Sequence, residues 1–173
     1  MKHLLFLMFC LWVVSFTTAD AQNLCPNPNF AEYNSCPVDI SDFSVSQWNN
    51  VVTTSDYFNV CATGNSGIPN NLIGFQNSLY GDGYVGLVIY EQNTGWREYA
   101  QATFNEPLLP GCYQISLYYS NADFASLANG LGVYLSEGTP NSYVGVEPQV
   151  EVETAIDNYD EWFEITAEYN TAG

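Results

Sequence analysis

The stretch WREYAQATFNEPLLPGCYQISLYYS, residues 96–120, predicts two β-strands joined by a loop rich in proline and glycine. From Tyr113 to Tyr119, every second side chain is apolar or aromatic. Because successive side chains of a strand point to opposite faces, this alternation predicts a strand with one apolar face. Pro107 and Pro110 cannot donate to a ladder and therefore mark the break between the strands. The loop is longer than a tight hairpin turn, so the two strands are free to lie in different sheets.

Short strand patterns recur along the rest of the chain, and no stretch shows a convincing helical period. The predicted strands are residues 42–48, 56–60, 72–75, 84–90, 97–104, 112–119, 131–135, 149–154 and 162–169. The almost wholly apolar run 84–90 predicts a central strand buried on both sides. Many short strands separated by turns predict an all-β fold, most naturally a two-sheet antiparallel β-sandwich. The sequence stops directly after a strand, so we expect the sandwich to lack its last strand.

The first 21 residues predict an export signal. A short positive start precedes an apolar run, residues 4–16, that is too short to span a bilayer. Residues 19–21 form a small-x-small cleavage sequence, and the polar exit before it disfavours the alternative of a membrane anchor. We therefore expect a signal peptide at residues 1–21 and one C-terminally truncated β-sandwich domain at residues 22–173. The protein is expected to be extracellular or on the outer cell surface, with the periplasm as the alternative.

Removal of this signal would leave a strongly acidic chain. The net charge of the whole sequence is -17, and it stays unchanged because Lys2 and Asp20 leave together. Arg97 is then the single basic residue. Such an acidic surface repels phosphate backbones and anionic lipid headgroups. We therefore expect neither nucleic-acid binding nor membrane insertion of the mature domain.

The cysteine count predicts disulfides. Cleavage removes Cys10 and leaves Cys25, Cys36, Cys61 and Cys112, an even number in an exported chain. Four cysteines allow three pairings, of which we favour Cys36–Cys61 together with Cys25–Cys112. A thiolate metal site is the alternative, but no pair has the close spacing that such sites usually show.

Catalytic groups are scarce in the mature chain. Without histidine or lysine, the usual nucleophilic triads lack their base and no Schiff base can form. Glycoside hydrolysis needs only two carboxylates, and Glu151 and Glu153 would share one face of a strand. The sequence lacks a closely spaced carboxylate signature there, so we expect a protein that is not an enzyme.

Aromatic rings beside hydrogen-bonding groups suit sugar binding, because sugar rings stack on apolar faces while their hydroxyls need polar partners. The candidate ligand-binding residues are Trp96, Arg97, Tyr99, Gln101 and Tyr118. Arg97, Tyr99 and Gln101 would share one strand face. The competing interpretation places the rings in the core and Arg97 in a structural ion pair with a distant carboxylate.

Five segments, read in order, resemble one class of module. They are NLCPNPNFAEY (23–33), SCP (35–37), DYFNVCA (56–62), GIPNNLIGFQ (67–76) and WREYAQATFNEPLLPGCYQISLYYSNAD (96–123). The set resembles the N-terminal jelly-roll domain of secreted Bacteroidetes-type surface proteins. The NPNF-x-E opening and the L-x-P-G-x-Y strand entry also look like carbohydrate-binding modules of the galactose-binding-like group.

The resemblance implies a secreted or surface-attached, non-catalytic module, with glycan as the leading ligand. It also implies further domains after this one, OmpA-like or type IX secretion sorting domains. A structural or adhesive module without a small ligand is the alternative, and a carboxylate glycosidase is the third. No cofactor is assigned. A structural Ca²⁺ would fit the resemblance, with Glu32 and Asp82 as candidate ligands, but the sequence commits to no metal residue.

Overall fold

The structure is a computed structural model that describes residues 22–51, 54–127, 129–140 and 146–171, so the predicted signal peptide lies outside the described residues. The strands in chain order are β1 (Trp48–Asn50), β2 (Asp56–Asn59), β3 (Asn70–Asn71), β4 (Gly74–Phe75), β5 (Gly83–Gly86), β6 (Ala100–Ala102), β7 (Gly111–Tyr119), β8 (Gly132–Val133), β9 (Val150–Glu151) and β10 (Phe163–Thr171). The described residues contain one 3₁₀ helix, Gly64–Ser66, and no α-helix. The prediction of an all-β fold is confirmed.

The longest ladder joins β7 and β10, which run antiparallel from the pair Tyr119↔Phe163 to the pair Gly111↔Thr171. Tyr113, Ile115 and Leu117 are half-buried, whereas the side chains between them are exposed. The alternation predicted for residues 112–119 is therefore confirmed, and residues 162–169 form the predicted strand with a shift of one to two residues. The apolar face holds the pair together because burial of alternate side chains stabilises one register only.

The best-packed region surrounds the β2–β5 pair. Tyr57 and Phe58 are fully buried, and the Phe58 ring stacks on the Tyr84 ring with 5.1 Å between centroids. The Tyr57 hydroxyl donates to the Phe30 carbonyl at 2.8 Å and accepts the Asn59 side-chain amide at 2.7 Å. Buried polar groups are tolerated here because each finds a hydrogen-bond partner.

A disulfide lies beside this core. Cys36 and Cys61 are bonded, with 5.9 Å between their Cα atoms, which confirms the first predicted bridge. The Cys61 N–H donates to the Asn59 side chain at 2.9 Å, which fixes the chain where β2 ends. Such a bridge fits an oxidising, extracellular-type environment.

The second predicted bridge, Cys25–Cys112, is wrong for this structure, because both cysteines are free. Cys25 is half-buried and its thiol faces the carbonyl of Pro26 at 3.7 Å. Cys112 is exposed at the start of β7, opposite Asn170 of β10. The two thiols therefore sit in different local environments and do not bond.

The predicted central strand over residues 84–90 is confirmed for residues 84–86, which lie in β5, and is wrong for residues 87–90. The β5 ladder ends at Gly86, and the side chains of Val88 and Tyr90 are exposed. The Val88 N–H donates to the Glu98 carboxylate rather than to a neighbouring strand, so the ladder cannot continue. The continuous apolar composition of residues 84–90 predicted a strand longer than the one that forms.

The two strands of the stretch 96–120 lie in different sheets, an arrangement that the loop between them allows. β6 pairs with β1, and β7 pairs with β10. The predicted strand 97–104 is reduced to Ala100–Ala102, and the predicted strand 42–48 gives way to β1, which begins at Trp48. Ahead of β1, Val45 is buried and forms an isolated bridge with Tyr33.

The described strands form five two-stranded antiparallel sheets. The predicted strands 72–75, 131–135 and 149–154 shrink to the two-residue strands β4, β8 and β9. The two-sheet sandwich stays a prediction. A wide cleft lies among these short strands, and it carries the candidate site. No helix in the described ranges has the length and apolarity needed to cross a bilayer.

Candidate ligand-binding site

The cleft between the sheets has a volume of about 2750 Å³. Its wall is formed by 69 of the described residues, on both faces of β7, and among them are all five residues predicted to bind ligand: Trp96, Arg97, Tyr99, Gln101 and Tyr118. Pockets for single small molecules measure about 300–1000 Å³. The cleft is therefore of a size that suits an extended ligand rather than a single sugar ring.

The predicted stacking rings are accessible. Trp96 is 45% exposed and Tyr118 is 38% exposed, so neither ring belongs to the core. Tyr99 and Gln101 are half-buried, and both are engaged with other groups of the protein. Large apolar rings exposed on a concave surface are typical of binding sites.

A hairpin turn presents Trp96 to the cleft. The Glu91 N–H donates to the Trp96 carbonyl at 2.8 Å, and the Glu91 carboxylate accepts the N–H groups of Asn93 and Thr94 at 3.0 and 2.7 Å. The Thr94 hydroxyl donates to the same carboxylate and is the largest cause that lowers the pKa of Glu91 to about 2. Gly95 has φ of 71°, a backbone conformation that glycine adopts without strain. These contacts fix the turn that precedes Trp96.

Glu98, which the sequence did not single out, positions the same hairpin. It is only 7% exposed, and it accepts hydrogen bonds from the Val88 N–H at 2.8 Å and the Thr54 hydroxyl at 3.2 Å. Burial is the main cause that raises the pKa of Glu98, and the charge of Asp56 adds to it. In the predicted strand 97–104, side-chain alternation places Glu98 on the face opposite to Arg97, together with Ala100 and Ala102. This pattern was the signal in the sequence for its burial.

Arg97 makes two contacts that hold its side chain. Its guanidinium lies 5.1 Å from the centre of the Tyr90 ring, and its Nη1 donates to the Ile89 carbonyl at 3.2 Å. Within the described part of the chain, no carboxylate forms an ion pair with Arg97. The alternative of a structural ion pair is therefore wrong for these residues. A guanidinium has several N–H donors, so most of its hydrogen-bonding capacity is not used by these two contacts.

Tyr118 projects from the mixed face of β7. Its ring meets the Tyr80 ring edge to face, with 5.6 Å between centroids, and Glu164 lies directly opposite on β10. Hydrogen bonds with Tyr80 and then Glu164 are the leading causes that raise the pKa of Tyr118 to about 12. The phenol therefore stays protonated at physiological pH and can donate or accept hydrogen bonds.

The remaining candidates are not brought together. Glu151 and Glu153 are both exposed. Glu151 lines the cleft, whereas Glu153 is not among the described lining residues of either pocket. Glu32 and Asp82, the candidate calcium ligands, are also exposed. In the described ranges, no group of three or more metal-ligating side chains is assembled. The calcium site stays a prediction.

Comparisons of the chain with protein-family models, with curated proteins and with solved structures found no match. The resemblance to jelly-roll modules of surface proteins therefore stays an expectation.

Proposed function

We propose that this chain is a non-catalytic recognition module, exported to the cell surface, that binds glycan in the cleft. The short ladders are then parts of a two-sheet sandwich of jelly-roll type. The observation that carries the proposal is the position of Trp96 and Tyr118, two accessible rings on the wall of one cleft that also contains Arg97 and Gln101.

The chemistry of this set supports a saccharide over a purely apolar ligand. Aromatic faces pack against the C–H faces of sugar rings, and nearby amide, hydroxyl and guanidinium groups pair with sugar hydroxyls. The volume of about 2750 Å³ favours several sugar units over one. The two rings would then bind separate units of an extended chain.

A structural or adhesive module is the second candidate, and one observation favours it. Several apolar side chains outside the cleft wall are exposed, among them Val38 at 83% and Phe124 at 80%. Exposed apolar patches often mark protein contacts. An adhesive module would bind a protein surface through such residues and would show no glycan binding.

A glycan-array screen of residues 22–173, with and without calcium, tests the proposal. The expected result is binding to a restricted set of oligosaccharides. A second arm incubates each bound glycan with the protein and measures new reducing ends. Absence of binding would overturn glycan recognition, and release of reducing ends would show a carboxylate glycosidase instead.

A further inference from the structure

A second, smaller pocket adjoins the cleft at Arg97. Its volume is about 440 Å³, within the range of pockets that hold one small molecule or one sugar unit. Its lining residues are Tyr90, Gln92, Arg97, Ser126, Leu127 and Asn129. Arg97 lines both spaces, so a glycan in the cleft could place one unit in this pocket.

The pocket combines one cation with neutral polar groups. Tyr90 lies against the guanidinium, and the side chains of Gln92, Ser126 and Asn129 offer amide and hydroxyl groups. The Asn129 amide donates to the Glu153 carbonyl at 3.1 Å, which ties this wall of the pocket to the segment after β9. No carboxylate side chain is found among the described residues that line this pocket.

Arg97 is held in place without being neutralised. The Tyr90 ring and the Ile89 carbonyl orient the guanidinium, and neither carries a full charge. Pre-orientation lowers the entropy lost when a ligand binds. A guanidinium fork pairs best with a planar carboxylate, through two parallel hydrogen bonds.

The Glu151 carboxylate lies near Arg97 and weakens the attraction of the guanidinium for an anion. A Cβ atom placed on Gly130 would be 3.8 Å from Arg97 Nη1 and 3.4 Å from Glu151 Oε1, so both side chains approach the same glycine. Glu151 would therefore repel an anion at Arg97 without being paired to it. Removal of the Glu151 charge should therefore strengthen binding of an anion, whereas removal of the Arg97 charge should weaken it.

We infer that the Arg97 pocket is a subsite for the carboxylate of an acidic sugar, a uronic acid unit of the bound glycan. The inference rests on the proposed glycan-binding function and adds its ligand class. The carboxylate pairs with the Arg97 guanidinium, and the Gln92 and Asn129 amides bind hydroxyls of the same unit. The long-range field of a chain with a net charge of -17 opposes anions. Selectivity for an anionic sugar must therefore come from direct contact with Arg97. Salt screens the repulsion from distant carboxylates more strongly than it screens this contact.

The test compares acidic oligosaccharides with their neutral methyl esters by calorimetric titration in about 0.15 M salt. The probes are oligogalacturonate and oligomannuronate, each paired with its methyl ester, which keeps the shape and removes the charge. We expect the wild type to prefer an acid over its ester by roughly tenfold, as a hydrogen-bonded charge pair implies.

Four variants separate the contributions. Arg97→Gln should remove the preference, and Arg97→Lys should keep part of it because the charge stays while the fork is lost. Glu151→Gln should tighten binding of the acid by about twofold, because a nearby repulsive charge is removed. Glu168→Gln is the matched control. It removes one carboxylate from the exposed face of β10 and should change nothing.

The outcomes distinguish the inference from the proposed function. Equal binding of acid and ester by the wild type would overturn the acidic subsite and leave glycan recognition standing. A preference that survives Arg97→Gln would also overturn the subsite. No binding of these probes or of any array glycan would overturn both. Thermal unfolding of each variant shows whether a loss of binding reflects a loss of folding, and Glu151→Gln tests the charge without altering Arg97.

Discussion

Glu98 and Val88 hold each other through two hydrogen bonds of 2.8 Å each. The Glu98 N–H donates to the Val88 carbonyl, and the Val88 N–H donates to the Glu98 carboxylate. This pair closes the base of the hairpin that presents Trp96 and Arg97. A side-chain carboxylate thus takes the place that a neighbouring strand would have in a longer ladder.

Glu98→Ala should destabilise the protein by about 1–3 kcal/mol, because it removes the acceptor of the Val88 N–H and of the Thr54 hydroxyl. Glu98→Gln is the control, since its amide can accept from Val88 and donate to the Thr54 oxygen, and it should change the free energy of unfolding by less than about 1 kcal/mol. Urea unfolding at pH 7 measures both. Equal stability of Glu98→Ala and wild type would contradict the role assigned to this carboxylate.

The raised pKa of Glu98 predicts a pH dependence of definite sign. Burial makes the folded state hold the Glu98 proton more tightly than the unfolded state does. The contribution of this residue to the free energy of unfolding therefore falls as the pH rises from the unfolded pKa to the folded one. Glu98→Gln should gain stability relative to wild type between pH 4 and pH 7. A stability difference that is constant with pH would contradict this prediction.

Loss of the Cys36–Cys61 bridge should destabilise the fold. The cysteines are 25 residues apart in sequence, and the bond restricts the unfolded chain. The double change Cys36→Ser and Cys61→Ser should lower the free energy of unfolding by about 2–4 kcal/mol. The matched control, Cys25→Ser with Cys112→Ser, should leave it within about 0.5 kcal/mol. Similar losses in the two double variants would show that the second pair is also structural.

The two free cysteines should react at different rates. Cys112 is exposed, whereas burial raises the pKa of the Cys25 thiol. Since the thiolate is the reactive form, iodoacetamide at pH 8 should label Cys112 first and Cys25 slowly. Mass spectrometry of peptides prepared without reduction gives both rates. Absence of label on both residues would show that the predicted Cys25–Cys112 bridge forms after all.

Alkaline pH should unfold the region around β2 and β5. Burial is the main cause that raises the pKa of Tyr57 and of Tyr84 to about 12. The unfolded state would release these protons near pH 10 while the folded state keeps them, so stability should fall as the pH rises from 10 to about 12. Tyr84→Phe should reduce the slope of that fall. Circular dichroism from pH 10 to about 12 measures the fall for both proteins, and equal slopes in wild type and Tyr84→Phe would contradict the account.

The features that the sequence predicted well depend on local pattern. Alternation along β7 is strong because each strand face has its own solvent environment, and the half-buried positions Tyr113, Ile115 and Leu117 follow it. The length of the loop between β6 and β7 allowed them to lie in different sheets, without requiring it. The Cys36–Cys61 bridge was the favoured choice among three pairings.

The features that the sequence missed depend on contacts between distant residues. Apolarity of residues 84–90 indicated a buried strand, but a strand also needs a continuous ladder of backbone hydrogen bonds, and the Val88 N–H donates to the side chain of Glu98. Pairing of Cys25 with Cys112 required two chain segments to meet, which composition does not encode. All five candidate ligand-binding residues line one cleft, but sequence alone could not place Tyr90 under Arg97.

Calorimetric titration of an array-selected oligosaccharide into wild type, Trp96→Ala and Phe124→Ala tests glycan recognition in the cleft most directly. Trp96 lines the cleft, whereas Phe124 is 80% exposed and is not part of its wall. We predict a loss of affinity of roughly fivefold or more for Trp96→Ala, since truncating an aromatic contact of this kind removes about 1 kcal/mol or more, and no change for Phe124→Ala. Unchanged affinity in Trp96→Ala, or an equal loss in both variants, would contradict the account.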